Sequence, residues 1–404
     1  MITSSAFRGR RYAVLGLARS GLASVEALVA SGAQVTAWDN RQEARGAVAG
    51  KAAIADLMEI DLAGFEGVVV SPGVPLNRHP IAANARQAGV PLIGDIELFA
   101  QARAGLPPHK VVGITGTNGK STTTALVHHI LESAGVPTAM GGNIGLPILA
   151  QDPLPEGGVY VLELSSYQLD LTFSLDCDVA VLLNVTPDHL DRYESFEAYR
   201  ASKLRLFEMQ SPGRPAIVGD EIAIDQSGWP ALQGPHNAQN ARAAIATCEA
   251  LGLAAGDIAR GLATYPGLPH RMERVREKDG ILFVNDSKAT NPDSTAPALA
   301  AFPDIHWIVG GLAKTKGLGP CESQLGHVRA AYTIGEAGPM FARLLEGRVK
   351  VTESELLVTA VNEAAEAAAP GEVVLLSPAC ASFDQFRDYE ARGDAFRAAV
   401  EALA

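Results

Sequence analysis

Cysteine is scarce and an excess of cations is absent from this 404-residue chain. Cys177, Cys248, Cys321 and Cys380 lie far apart with no CxxC pair, which argues against both a zinc site and a disulfide framework. Lys and Arg total 33 against 45 Asp and Glu, a formal charge of −12. No long-range positive field would draw in a polyphosphate, so a general nucleic-acid or anionic-membrane binder is disfavoured. A few local donors still suffice for a small phosphorylated ligand. No run of about 18 apolar residues is present to cross a membrane, and short repeats and low-complexity tracts are missing too. The opening MITSSAFRGRRYAVLGLARSG carries basic residues, but its apolar stretch is short and lacks a cleavage-like end. It reads as a first strand rather than a signal peptide. What is present is an ordinary globular composition, 47% apolar and 19% charged, with length for two to four domains. A reduced, cytoplasmic setting is expected.

Short β-branched runs alternate with Ala-rich helical stretches, the pattern of parallel sheets covered by helices. Strands are expected at 11–15, 34–38, 67–70, 111–114, 159–162, 281–284, 307–309, 331–334 and 373–376, with a helix from the Gly16–Gly21 turn to about Ser31. The two prolines and glycine of 103–109 read as a linker, and GLPH at 267–270 marks a second boundary. The fold class is therefore α/β, in three consecutive units.

The strongest local motif is GITGTNGKST at 113–122, which satisfies GxxxxGK[ST] between an expected strand and helix. Glycines let backbone N–H groups close on phosphate oxygens, and the helix N-terminus adds partial positive charge. Lys120 then reaches the terminal phosphates and the Ser121 hydroxyl suits Mg²⁺. GLARSG at 16–21 lacks GxGxxG. A nucleotide turn with Asp39 about twenty residues on and a plain tight turn both stay open. Glu163 ends an expected strand at the carboxyl edge of a sheet, where ligands of α/β folds collect and where it could share a metal with Ser121. Asp188, His189 and Asp191 suit a metal site or merely a loop and helix cap. Lys203, in YRASKLRLF, reads as the solvated face of an amphipathic helix. Arg271, Asp286, Lys288 and Lys314 fall near strand ends or a boundary, and together their cations suggest a second anion site.

GTNGKST (116–122), GGNIG (141–145), ELSSYQL (163–169), NVTPDHLDRY (184–193), YRASKLR (199–205), GPHNAQNA (234–241), GLPHRME (267–273), NDSKATN (285–291) and SPACASFDQF (377–386) follow one another as in the Mur ligases. The resemblance covers nearly the whole chain. NDSKATN and SPACASFDQF resemble the family member that adds D-glutamate, whereas GTNGKS and DH are shared more widely. The resemblance implies an N-terminal Rossmann-like domain at 1–107 for the UDP substrate. It implies a central P-loop mononucleotide-binding domain at 108–269, and a C-terminal Rossmann-like domain for glutamate at 270–404. The implied reaction is ATP-dependent amide ligation in peptidoglycan precursor synthesis, and hence a part in cell shape and division. ATP would phosphorylate the carboxylate of UDP-N-acetylmuramoyl-L-alanine and the amine of D-glutamate would displace phosphate.

Carried over residue by residue, the resemblance implies ATP binding by Gly116, Thr117, Asn118, Gly119, Lys120, Ser121, Thr122, Asn240, Arg271 and Asp286. It assigns the UDP substrate to Ser20, Gly21, Asp39, Asn40, Arg41, Ser71, Gly73, Asn143 and His189, and glutamate to Lys288, Thr290, Lys314, Ser382 and Tyr389. Lys120, Glu163, His189 and Lys203 would be catalytic. Two Mg²⁺ would be held, one with Ser121 and Glu163, the other with His189 and a carbamylated Lys203. Domain closure would assemble the reactants, and the protein would act as a monomer with small-molecule partners, without nucleic acid or a membrane span. Two departures stand out. The stretch between Lys203 and His236 is several dozen residues shorter than the family pattern, which is expected to remove a small β-hairpin sheet. In GGLAKTKGL, Lys316 competes with Lys314 for the glutamate role.

Overall fold

The computed structural model describes residues 1–189, 192–220 and 222–403. Asp191 lies outside them. The chain divides into two compact units. One comprises Met1–Ala223 with Gln239–Leu262, the other Ile224–Ala238 with Ala263–Ala404.

The first unit contains two parallel sheets. The first runs β1 (Arg11–Leu15), β2 (Gln34–Trp38), β3 (Ala53–Ile54), β4 (Gly67–Val70) and β5 (Leu92–Ile93), in spatial order β3-β2-β1-β4-β5. Its helices are α1 (Arg19–Ala30), α2 (Gln42–Gly46), α3 (Ile81–Ala88) and α4 (Asp95–Ala102). β4 reads GVVV and is buried throughout, as a strand covered on both faces must be. The order places a switch point between β1 and β4, so the turns after β1 and β4 diverge around a crevice at the carboxyl edge.

The second sheet runs β6 (His109–Thr115), β7 (Thr138–Gly142), β8 (Gly158–Glu163), β9 (Val179–Leu182) and β10 (Ala216–Val218), ordered β10-β9-β6-β8-β7. Around it lie α5 (Lys120–Ser133), α6 (Ser166–Asp170), α7 (Phe196–Glu208), α8 (Pro235–Leu251) and α9 (Ala255–Thr264). Among the described residues, β10 is the only strand or helix between α7 and α8.

The two sheets share one core, in which Val14, Leu28 and Ile96 join Tyr160, Leu162 and Leu164. The segment 103–109 is not a free linker. Arg103 donates to the Asp176 carbonyl at 2.5 Å, and His109 already belongs to β6. α4 is pinned along its length to the chain after α6. Gly94 N donates to Leu171 O at 2.9 Å, and Glu97 accepts from Phe173 N at 2.7 Å and from Ser174 Oγ at 2.7 Å.

Asp95, at the start of α4, is 3% exposed. Neither of its carboxylate oxygens has a hydrogen-bond partner of good geometry. Burial pushes its carboxyl up to about 6, against the opposing pull of nearby backbone N–H groups and the Gln168 side chain. Its contribution to stability is therefore full below the unfolded range near pH 4, falls as pH rises to about 6, and is flat above. In Asp95→Asn, urea unfolding at pH 8 relative to pH 4 should favour the variant over the parent by about 2 kcal/mol. Equal pH dependence in the two proteins would show that Asp95 ionises freely.

The second unit holds a six-stranded sheet of β11 (Glu273–Lys278), β12 (Ile281–Asn285), β13 (Ile305–Gly310), β14 (Val328–Ile334), β15 (Lys350–Glu355) and β16 (Val373–Leu376). The order is β11-β12-β16-β13-β14-β15, parallel except for β11 at the edge. Helices α10 (Pro292–Leu299), α11 (Gly338–Leu345), α12 (Leu357–Ala367) and α13 (Tyr389–Glu401) cover it. The core splits by face, with Trp307 and Phe341 in one cluster and Phe283 and Phe396 in the other. Among the described residues no helix is long and apolar enough to cross a membrane.

Candidate active site

Turns at the carboxyl edge of the first sheet gather the residues expected at the UDP substrate. Gly21, in the first turn of α1, lies so close to β1 that an added Cβ would sit 1.8 Å from the Gly16 carbonyl oxygen. Ser71 Oγ donates to the same carbonyl at 2.8 Å. Asp39 ends β2 and accepts from Leu17 N at 2.7 Å and from Arg41 N at 2.9 Å. Burial alone would raise its carboxyl, but hydrogen bonds from Arg41 and from those N–H groups outweigh it and hold the pKa at about 2. Asn40 is exposed beside this pair, its carbonyl accepting from Arg45 at 3.0 Å, and Gly73 lies in the turn that Val74 N closes on Ser71 O. Ser20 sits half-buried between Arg19 and Gly21.

In the second sheet, β6 delivers the chain into Gly116–Gly119 and α5 leaves from it. Gly119 is left-handed at φ +82°, and a Cβ there would meet Asn240 Oδ1 at 2.2 Å. Only glycine admits that approach. Asn240, on α8, accepts from Thr123 Oγ1 at 3.2 Å, so the structure brings this residue to the phosphate loop. Lys120 Nζ donates to Gly116 O at 3.0 Å and to Thr117 O at 2.8 Å. Lys203 Nζ donates to the same Gly116 carbonyl at 2.8 Å.

Lys203 is therefore not on a solvated face. It is 2% exposed and lies over the Tyr199 ring at 4.7 Å. Burial and the nearby Lys120 cation push its amine down to about 7, against the opposing pull of Asp188 and Asp170.

Glu163 ends β8 and is 1% exposed. Oε1 accepts from Asn143 Nδ2 at 2.8 Å, and the Glu163 carbonyl accepts from Asn143 N at 2.8 Å. Oε2 is buried with no hydrogen-bond partner, a costly arrangement for a carboxylate unless a cation neutralises it. Ser121, at the head of α5, is buried. Among the described residues no three His, Cys, Asp or Glu side chains gather as a metal centre. An ion beside Glu163 would draw on a hydroxyl and on ligand oxygens instead.

His189 is left-handed at φ 55°. Asp188 Oδ1 accepts from His189 N at 2.8 Å, and the imidazole packs on Tyr167 at 4.9 Å and Tyr199 at 5.9 Å. This pair forms no helix cap, because α7 is capped by Ser195. Asn184 escaped the sequence reading. It follows β9, bonds to Asn118 N at 2.9 Å and reaches Gln239 at 2.9 Å, tying the phosphate loop to α8. Its place directly after an apolar run was the available signal.

In the second unit, the switch point lies between β13 and β16, whose following loops pair through Leu312 and Ala381. Lys314 Nζ donates to Thr290 Oγ1 at 3.2 Å, and Lys288 Nζ lies 5.3 Å over the Tyr389 ring. Ser382 is buried in the loop after β16, and Lys316 is exposed. Asp286 accepts from Ser377 Oγ at 2.8 Å and from Met272 N at 3.2 Å. Burial pushes its carboxyl up to about 7, opposed by Ser377 and the Arg271 cation. Arg392 was not anticipated. Buried at 1% exposure, it donates to Ser287 O at 2.8 Å and Cys380 O at 3.0 Å, joining the loops after β12 and β16. The candidate residues thus fall into three clusters, two in the first unit and one in the second.

The sequence matches family patterns described as Mur ligase MurD-like N-terminal domain at 10–94, Mur ligase middle domain at 114–228, and Mur ligase glutamate ligase domain at 270–380. A UDP-N-acetylmuramoylalanine--D-glutamate ligase from Novosphingobium aromaticivorans is 64% identical, covering 100% of this chain and 97% of its own. That alignment extends over 429 positions, so the relative carries at least 25 residues with no counterpart among these 404. Among solved structures, the UDP-N-acetylmuramate-alanine ligase of Thermotoga maritima superposes with TM-score 0.60 at 17% identity, covering 97% of this chain and 99% of that one. The Thermotoga maritima MurF ligase in complex with ADP gives 0.56 at 16%, covering 98% and 96%. Identity of this degree over the full length, on the same three-sheet architecture, makes the chain a member of the Mur ligase family.

Proposed function

We propose that the chain joins D-glutamate to UDP-N-acetylmuramoyl-L-alanine with ATP, as a cytoplasmic monomer in peptidoglycan precursor synthesis. The observation that carries the chemistry is the meeting of Lys120 and Lys203 on one carbonyl of the phosphate loop. Glu163, with a buried unpartnered oxygen, stands at the end of the neighbouring strand. An amine cannot expel oxide from a carboxylate, so that oxygen must first become part of a phosphate. The alanyl carboxylate attacks the γ-phosphorus and ADP departs. The glutamate amine then adds to the acyl carbon and loses its proton, and phosphate leaves with the original carboxylate oxygen.

Both reactants of the first step are anions, so positive charge must be concentrated where they meet. Lys120 supplies it from the loop of Gly116–Ser121 and Thr122. Ser121, Glu163, His189 and a carbamylated Lys203 would hold Mg²⁺, whose contribution is further neutralisation of phosphate charge. A neutral amine is what captures CO₂, and the depressed pKa of Lys203 supports that modification. The edge of the first sheet, with Ser20, Gly21, Asp39–Arg41, Ser71 and Gly73, takes the uridine diphosphate, and Asn143 and His189 orient the acyl group. Asn240, Arg271 and Asp286 serve ATP. Lys288, Thr290, Lys314, Ser382 and Tyr389 receive the two carboxylates of glutamate. The contact of Lys314 with Thr290 favours it over Lys316.

Phosphate release from ATP tests this reading. Release should require both UDP-N-acetylmuramoyl-L-alanine and D-glutamate, with L-glutamate inactive. Release indifferent to either substrate would mark a plain nucleotidase, and equal use of the L-enantiomer would overturn the acceptor.

A further inference from the structure

His189 adopts a backbone conformation that disfavours any residue with a Cβ. Something must hold it. Its carbonyl accepts from Arg192 N at 2.9 Å and from Tyr193 N at 3.2 Å. Its ring rests on Tyr167. The side chain of Arg192 lies over that same Tyr167 ring, with the guanidinium carbon 4.4 Å from the centroid. From there Nη2 reaches across to the first sheet and donates to Val74 O at 2.9 Å. Val74 closes the turn that begins at Ser71, one of the turns assigned above to the UDP substrate.

One half-buried guanidinium therefore touches both the edge of the substrate crevice and the aromatic floor beneath the imidazole. A planar cation suits this role. It gives a charge-assisted hydrogen bond at one end and stacks flat at the other, which an ammonium cannot do as well.

We propose that Arg192 is a positioning residue that couples the Ser71–Val74 turn to His189, so that seating the UDP substrate sets the orientation of the imidazole. The inference rests on the reaction proposed above. A coupling of this kind is reciprocal: whatever fixes the turn fixes the histidine, and loosening the histidine loosens the turn.

The test is steady-state kinetics of the full chain with Arg192→Ala and Arg192→Lys, together with calorimetric binding of UDP-N-acetylmuramoyl-L-alanine alone. In Arg192→Ala, KM for the UDP substrate should rise about tenfold and kcat should fall about tenfold, as for loss of a charge-assisted hydrogen bond. KM for ATP and D-glutamate should stay within about threefold. Arg192→Lys should fall between the parent and the alanine variant. Tyr167→Ala should reproduce the pattern, and the double variant should be little worse than either single one, because both break the same connection. An unchanged KM and affinity for the UDP substrate, or additive losses in the double variant, would overturn the coupling. A parent protein that fails to ligate would instead sink the reaction itself, independently of Arg192.

Discussion

Lys203→Ala should lose ligation by about a thousandfold or more, the scale expected when a group organising transition-state charge is removed. The fold should survive. The side chain is a buried amine whose visible partners are one backbone carbonyl and the face of Tyr199, and deleting a buried polar group so incompletely paired costs a protein little. The pH dependence separates a carbamate from a plain ammonium. With its amine held near 7, roughly nine in ten Lys203 side chains are neutral at pH 8, against fewer than one in a hundred for an ordinary lysine. Carbamate formation consumes the neutral form, so activity should fall as pH drops through about 7. Enzyme stripped of CO₂ at pH 8 should lose activity and regain it with bicarbonate. Full activity in CO₂-free buffer, or a Lys203→Ala variant within tenfold of the parent, would leave this lysine a structural residue.

Lys120→Ala should produce a second large effect of a different kind. kcat should drop about a thousandfold through loss of charge at the transferred phosphoryl group, while affinity for UDP-N-acetylmuramoyl-L-alanine stays within about threefold. The reason is spatial. Lys120 caps the loop after β6, whereas the residues proposed for the uridine diphosphate stand on turns of the other sheet, around Gly16, Asp39 and Ser71. If the variant no longer bound the UDP substrate, the allocation of the two nucleotides to separate sheets would be wrong.

Much of the fold was legible because the strands that matter are long or apolar. Arg11–Leu15, Gln34–Trp38, Gly67–Val70 and Val373–Leu376 have the expected bounds, and the strand expected at 307–309 merely lengthens to Ile305–Gly310. β3 and β5 have two residues each, too few to show a period. β11 reads ERVREK, whose charges suit an edge strand but announce no burial.

Burial of Lys203 was within reach. α7 buries Tyr199, Ser202, Lys203 and Leu206, the spacing of a single helical face, and only the prior against buried lysine hid it. Arg192 and Arg392 were not within reach. Their partners lie 118 and 105 residues away along the chain, and no local pattern encodes a contact at that separation. The phosphate loop was plain from its glycines, yet the reason for Gly119 was only half visible, since phosphate approach explains it and so does the amide of Asn240.

That amide has a temporal side. The wall of the nucleotide loop is completed by α8, through Asn240 against Gly119 and Thr123 and through Gln239 against Asn184. During translation, the glycine-rich turn emerges more than a hundred codons before the helix that seals it. A nascent chain halted at residue 220 would display the glycine-rich loop with Lys120 and Ser121 while still lacking one side of the cup.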